Sequence, residues 1–300
     1  FLENLNTYDL IIRAAPIIHP NQIVTANPDT PDILEKVTSN TNEFFRVCPS
    51  KNIIGVTGTK GKGTTSTLIA KMLEATGKKV HLGGNIGIPP LELLSDNIKP
   101  DDWVVLELAN FQLIDIKYSP HIAVCLMVVP EHLDWHEDME EYIAAKQQLF
   151  INQEEHDIAI YYADNENSES VASASMGELI PYMEHPGAFV EDEKIVIGGN
   201  EICKVDDIRL LGKHNWQNVC AAITVAWQIT QETELIKSVI TSFSGLEFRL
   251  QFISEINGIK FYNDSFGTTP ETTKVAIESL KEPNVLIVGG GQKNSDYSML

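Results

Sequence analysis

The chain has no paired cysteines, no clustered basic residues and no long apolar run, and each absence removes a class of protein. Cys48, Cys125, Cys203 and Cys220 are scattered without a Cys-x-x-Cys pair, which fits reduced thiols and neither a disulfide framework nor a cysteine zinc site. Lys and Arg number 22 against 42 Asp and Glu, a formal charge of -20. A phosphate-backbone footprint needs grouped cations, so no nucleic-acid partner is expected. The longest purely apolar run, Ile122 to Val129, is too short to span a bilayer, so no membrane partner is expected. With no signal-peptide pattern, the expected location is the cytoplasm.

What is present is ordinary globular material, 300 residues at 43% apolar, enough for more than one domain. Its most informative stretch is Gly55-Val-Thr-Gly-Thr-Lys-Gly-Lys-Gly-Thr-Thr65, set between an apolar strand, Asn52 to Val56, and a helical stretch, Thr64 to Ala75. Gly58, Gly61 and Gly63 let backbone N–H groups close around phosphate oxygens, and the helix N-terminus behind them favours anions. Residues Gly58, Thr59, Lys60, Gly61, Lys62, Gly63, Thr64 and Thr65 are therefore read as a phosphate loop for ATP. Lys62 contacts the outer phosphates. Gly63 stands where a magnesium-binding hydroxyl is usual, so Thr64 or Thr65 must supply it.

From Asn52 to Tyr162 short strands alternate with helical patterns: Asn52–Val56, Val80–Leu82, Trp103–Leu108, Ile122–Val129 and Ile158–Tyr162. That order predicts an α/β fold, a doubly wound and mostly parallel sheet with its ligand site outside the carboxyl ends of the strands. A polar stretch after Asp164 precedes a β-rich region from about Ala188 to Leu211, a helix from His214 and a helix Glu234–Phe243. Ser244-Gly245 reads as a hinge. Beyond it, Asn257-Gly258 joins Gln251–Ile256 to Ile259–Tyr262 as a hairpin, Pro270–Leu280 reads as a helix and Val285–Val288 as a buried strand. Leu10–Ile12 is a further strand. The expected division is 1–50, 51–245 and 246–300, with both outer parts incomplete and the chain a piece of a longer protein.

Glu107 ends one apolar strand and Glu131-His132-Leu-Asp134 follows another, so a carboxylate and an imidazole reach the sheet edge that carries the phosphate loop. Together Glu107 and His132 are read as Mg2+ ligands. A helical run from Asp138 to Gln153 has Tyr142, Ala145 and Leu149 on its apolar face, with Lys146 beside that face as a surface lysine whose stem lies on apolar neighbours. Asn85 lies in the Gly-rich turn Gly83-Gly-Asn-Ile-Gly87.

These blocks, together with Leu106-Glu-Leu-Ala-Asn-Phe-Gln-Leu113, Pro130-Glu-His-Leu-Asp134 and Tyr142-Ile-Ala-Ala-Lys146, resemble the Mur ligase family in sequence and order. Gly212-Lys-His-Asn-Trp-Gln-Asn218, Arg249, Asn263-Asp-Ser265 and Gly289-Gly-Gly-Gln-Lys293 extend the resemblance over nearly the whole chain. It implies a central ATPase-type domain between parts of an N-terminal and a C-terminal Rossmann-like domain. The implied reaction is ATP-dependent, acyl-phosphate ligation of D-glutamate to UDP-N-acetylmuramoyl-L-alanine, in the synthesis of peptidoglycan precursors.

Residue by residue, the resemblance implies that Lys62 holds the γ-phosphate and that Lys146 is carbamylated as a metal ligand alongside Glu107, His132 and Thr64. It places Asn85 and His132 near the muramoyl substrate, Asn218 on the nucleotide, Arg249 on its phosphates and Asp264 on its ribose. Thr268 and Lys293 fall where the incoming D-glutamate is positioned. A monomer is expected. Gly63 in the loop also resembles the folylpolyglutamate synthase branch, and Phe266 stands where a lysine is common, so a folate ligase and a non-catalytic ATP-binding module remain as alternatives.

Overall fold

The computed structural model describes residues 2–267, 270–280, 282–290 and 298. In chain order the elements are β1 (Ile11–Arg13), α1 (Pro20–Ala26), β2 (Val37–Ser39), α2 (Asn40–Val47), β3 (Ile53–Thr57), α3 (Lys62–Ala75), β4 (Val80–Gly84), β5 (Trp103–Glu107), α4 (Asn110–Leu113) and β6 (Ile122–Cys125). There follow α5 (Met139–Gln147), β7 (Ile158–Tyr162), α6 (Glu166–Ala172), β8 (Glu178–Tyr182), β9 (Phe189–Glu191), β10 (Lys194–Ile197), β11 (Asn200–Lys204), α7 (His214–Trp227), α8 (Thr233–Ser242), β12 (Gln251–Ile256), β13 (Ile259–Asn263) and α9 (Pro270–Glu278).

Six strands form one sheet in the order β4-β5-β3-β6-β7-β8, and every pair in it is parallel. Both faces are covered because alternate residues of each strand point to opposite sides. Ile54, Val56, Val105 and Val124 meet Leu68, Ile69 and Met72 of α3 and the apolar side of α7. Ile53, Val104, Leu106 and Ala123 meet Phe44 of α2, Tyr142 of α5 and Val171 of α6. Each fully buried Val, Ile or Leu contributes about 1.5–3 kcal/mol over its exposed state. The strand order reverses at β3, which lies between β5 and β6. That reversal opens a crevice at the carboxyl edge, where the phosphate loop leaves β3.

Several expectations need correction. The run Ile122–Val129 is a strand only to Cys125, because β3 turns away at Thr57 and its neighbour loses its ladder. Residues beyond it bond to the phosphate loop, with Thr59 N donating to Met127 O at 2.8 Å. The helix expected from Asp138 to Gln153 starts after Asp138, its cap, and ends at Gln147. Its last turns tighten to Leu149 N→Lys146 O and Phe150 N→Gln147 O bonds, which bring Leu149 and Phe150 into the core. The polar stretch after Asp164 holds α6 and the edge strand β8, whose Pro181 and polar start hide it. Val285–Val288 has no ladder among the described residues, and Val285 and Ile287 are exposed.

The N-terminal part contributes the parallel pair β1–β2 and a small cluster around Ile23, Ile33 and Val37. Arg13, fully buried at its side chain, ties it to the sheet domain. Its guanidinium donates to Asp115 at 2.6 and 2.7 Å and to the carbonyls of Ala15, Ile18 and Phe111. At the other end, β12 and β13 form the expected antiparallel hairpin, with Asn257 and Gly258 both at positive φ as a tight turn of this hand requires.

Candidate active site at the phosphate loop

The loop between β3 and α3 is shaped by what it must approach. Gly61 caps α3 at φ +90°, and a Cβ there would collide with Asn218 Oδ1 of α7. Only glycine accepts both the conformation and the contact. Asn218, buried, is fixed by its own bond to Asn215 Oδ1 at 2.9 Å. The loop is braced from below by Thr59, whose hydroxyl donates to Val129 O at 3.0 Å, accepts from Val129 N and lies 3.0 Å from the Tyr142 hydroxyl. The Thr59 side chain is thus committed to holding the loop.

Two lysines converge on one carbonyl. Lys62 Nζ donates to Gly58 O at 3.1 Å and to Thr59 O at 3.0 Å, and Lys146 Nζ reaches the same Gly58 O at 3.1 Å. The expectation of a surface Lys146 is overturned, for its side chain is fully buried. The turn of α5 that sets Tyr142 and Ala145 inward carries the amine under the loop, 4.3 Å from the Tyr142 ring centre. Burial, reinforced by the charge of Lys62, pushes the Lys146 pKa down to about 7. Burial also lowers that of Lys62, against the pull of Glu107.

Glu107, at the end of β5, is buried. Its Oε1 accepts from Asn85 Nδ2 at 2.9 Å, and Asn85 N donates to Glu107 O at 2.7 Å. That closure needs Gly84 at φ +117°, since a Cβ there would strike the Glu107 backbone. Glu107 Oε2 faces the first turn of α3, 3.0 Å from where a Cβ on Gly63 would lie. Thr64 is on that turn and partly exposed, whereas the Thr65 hydroxyl is buried without a partner.

His132 sits at φ +58°, 4.8 Å from the Phe111 ring and 3.7 Å from Glu131. Burial lowers its pKa, which keeps the imidazole neutral and able to ligate a metal. Lys60 turns outward onto Glu131. Beyond the hinge, Arg249 lies over Phe266 at 4.8 Å, and Asp264 Oδ1 accepts from Leu250 N at 2.8 Å. Thr268 and Lys293 lie outside the described residues.

The structure therefore brings Lys62, Lys146, Glu107, Asn85, Asn218 and the loop glycines to one crevice. Sequence reading missed the brace through Thr59 and Tyr142, the Glu131 partner of Lys60, and Phe111 against His132. The four-residue spacing of Tyr142 and Lys146 was the one available signal, since it puts both on one helix face.

Fold and loop define an α/β protein of the phosphate-loop ATPase type. The sequence matches the Mur ligase middle domain over residues 56–226, and the chain belongs to the Mur ligase family. It is 38% identical over 307 aligned positions to a Clostridium kluyveri protein named UDP-N-acetylmuramoylalanine--D-glutamate ligase, covering all of this chain and 65% of that one. The protein of the same name from Acetivibrio thermocellus is also 38% identical, with the same coverage. This chain thus spans just under two thirds of these relatives. Among solved structures, MurF from Acinetobacter baumannii superposes with a TM-score of 0.67 at 19% identity, covering 82% of this chain and 57% of that one. E. coli FolC in complex with DHPP and ADP gives 0.60 at 17%, covering 82% and 69%. At these identities both superpositions speak to fold. No helix among the described residues is long and apolar enough to cross a membrane.

Proposed function

We propose that the full-length protein is an ATP-dependent ligase that joins D-glutamate to UDP-N-acetylmuramoyl-L-alanine in the cytoplasm, acting as a monomer. The observation that carries this reading is the meeting of Lys62 and Lys146 at the Gly58 carbonyl beside buried Glu107, in a chain of the Mur ligase family. The names of its relatives supply the substrates.

A carboxylate resists an amine because its leaving group would be oxide. Transfer of the γ-phosphoryl group of ATP to the L-alanine carboxylate gives an acyl phosphate. The D-glutamate amine then forms the C–N bond, the C–O bond to phosphate breaks, and the amine loses a proton. Lys62, at the N-terminus of α3, holds the γ-phosphate and offsets the charge that spreads during transfer. The glycine cradle and Asn218 position the nucleotide, with Arg249 on its phosphates and Asp264 on its ribose. Asn85 and His132 face the muramoyl substrate, while Thr268 and Lys293 receive D-glutamate.

The donor set suits a hard cation, because a buried carboxylate oxygen faces the helix turn bearing Thr64, with a single neutral imidazole nearby. Held by Thr64, Glu107, His132 and carbamylated Lys146, Mg2+ would supply charge neutralisation at the transferring phosphoryl group.

The test is ATP-dependent phosphate release by the full-length protein. D-glutamate with UDP-N-acetylmuramoyl-L-alanine should release phosphate, and Lys62→Ala should lower kcat by about 100-fold or more. Gly63, packed against Glu107, favours a second reading, a folylpolyglutamate synthase. Release only with a reduced folate and L-glutamate would move the protein there. Silence with both substrate pairs would leave a nucleotide-binding module and defeat both ligase readings.

A further inference from the structure

Away from the crevice, three side chains from two parts of the chain point at one another. His19, from the N-terminal part, and His136 and Glu141, from the start of α5, each offer a ligand atom, and these atoms lie within 4.8 Å of one another. They are the one such group of three found among the described residues. His19 Nε2 is 3.3 Å from Glu141 Oε1, and His136 Nδ1 is 3.0 Å from Glu141 Oε2.

His19 supplies a second, independent observation. Its Nδ1 accepts from Asn21 N at 3.1 Å, so the neutral ring carries its proton on Nε2, the nitrogen that faces Glu141, and ligation through Nε2 moves that proton to Nδ1 and gives up the Asn21 bond. The residue is 9% exposed, and Nε2 is buried with no hydrogen-bond partner. A buried imidazole nitrogen left unbonded beside a carboxylate and a second imidazole is costly for a structural network and useful for a metal. The His136 side chain is fully buried, and Asn110 stands behind it, its amide 2.7 Å from Nε2. That is the outer partner that fixes a ligating imidazole. With Nδ1 on a metal, Nε2 carries the proton and Asn110 presents its amide oxygen instead of its nitrogen, a swap of the two ends of one side chain.

We propose that His19, His136 and Glu141 form a binding site for a divalent transition metal, best suited to Zn2+, that clips the N-terminal part of the chain to α5. Two imidazole nitrogens and one carboxylate are a borderline-soft set that selects zinc over magnesium. Ligands around one tetrahedral zinc sit about 3.3 Å apart, so closure asks a small rotation that draws the two imidazoles together. A cavity of about 410 Å³, lined by His19, Asp115, Lys117 and Glu141 among others, adjoins two of the three residues and leaves room for water as a fourth ligand. The site is separate from the magnesium ligands, and its existence does not depend on the ligase reading.

The probe is Co2+ followed by Zn2+, added to chelator-stripped full-length protein in excess Mg2+, which fills the oxygen-rich crevice. The expected result is one equivalent of Co2+ per chain with visible bands of a four-coordinate ion, displaced by Zn2+. His19→Asn and Glu141→Gln should each weaken uptake by about 100-fold, and Asn110→Ala by about tenfold. X-ray absorption on the wild-type zinc form should read two imidazoles in the shell, a count the crevice with its single imidazole cannot give, and this holds whether or not the variants fold. No uptake, uptake unchanged in both ligand variants, or a shell with fewer than two imidazoles overturns the proposal.

Discussion

The two segments that flank the central sheet are attached to it in opposite ways. The N-terminal part has a core of its own of only three buried apolar side chains; Phe44 and Phe45 of α2 pack into the sheet core, and Arg13 is sunk into the sheet domain with its donors on Asp115 and three carbonyls. Asn42 adds bonds to Asp115 O and from Lys117 N. The C-terminal hairpin is richer in apolar residues, but Phe252, Ile253, Ile256, Ile259 and Phe261 are 47–62% exposed. Apolar content does not separate the two. The N-terminal segment joins the sheet by directional buried bonds and by two phenylalanines of α2, whereas in this chain, which spans just under two thirds of its relatives, the two-stranded ribbon has its apolar side chains in water.

Arg13→Ala should break the stronger attachment. It strands Asp115 in a largely buried position, and the loss should be about 3 kcal/mol, below the upper range for buried pairs because the Asp115 side chain keeps 19% exposure. Denaturant melts of the full-length variant check this, and a change under 1 kcal/mol would mean that apolar packing holds the segment after all.

A smaller effect is expected from acid. Glu43, in α2, accepts from the Thr38 hydroxyl at 2.7 Å and from Arg46 at 2.8 Å. These partners, Thr38 first, hold its carboxyl below the usual range. A lowered folded pKa gives stability that is complete above the ordinary carboxylate range near 4.3 and is lost as pH falls through the lowered value. Hydrogen-exchange protection across β2 and α2, taken relative to the intrinsic exchange rate at each pH, should therefore fall below about pH 4, and Glu43→Gln should flatten that dependence. An unchanged profile in the variant would assign the acid sensitivity to other groups.

The smallest effect belongs to the hairpin. In the 300-residue chain Ile259→Thr, at 62% exposure, should shift stability by no more than about 0.5 kcal/mol, whereas Ile54→Ala in β3, fully buried, should cost about 2–5 kcal/mol. If Ile259→Thr cost as much as a core truncation, the hairpin would be covered in solution and the contrast between the flanks would disappear.

Much of this was legible in the residues. The parallel sheet followed from apolar runs spaced by helical patterns, and the crevice from a glycine loop at the end of the first of them. The Asn257-Gly258 turn declared its hairpin. Lys146 did not declare itself, because one-dimensional spacing shows that a lysine borders an apolar face but not whether a carbonyl waits beneath it. The edge strand β8 was hidden by Pro181 and by a polar start, since an edge needs less apolar patterning than a central strand. Arg13 and His19 were illegible for a third reason. Their partners lie 98 to 122 positions away, Asp115 and Phe111 for Arg13 and Glu141 for His19, and no local pattern reports a contact of that span.

The shared acceptor at Gly58 has one more consequence. With the amines of Lys62 and Lys146 both on its carbonyl, the loop resembles a socket plugged by its own wiring. An arriving polyphosphate does not simply add contacts; it must outbid bonds the protein makes with itself, so the measured affinity is the difference between two sets of interactions. A ligand with a terminal phosphate can draw Lys62 away from the carbonyl, and one without it has little to offer in exchange.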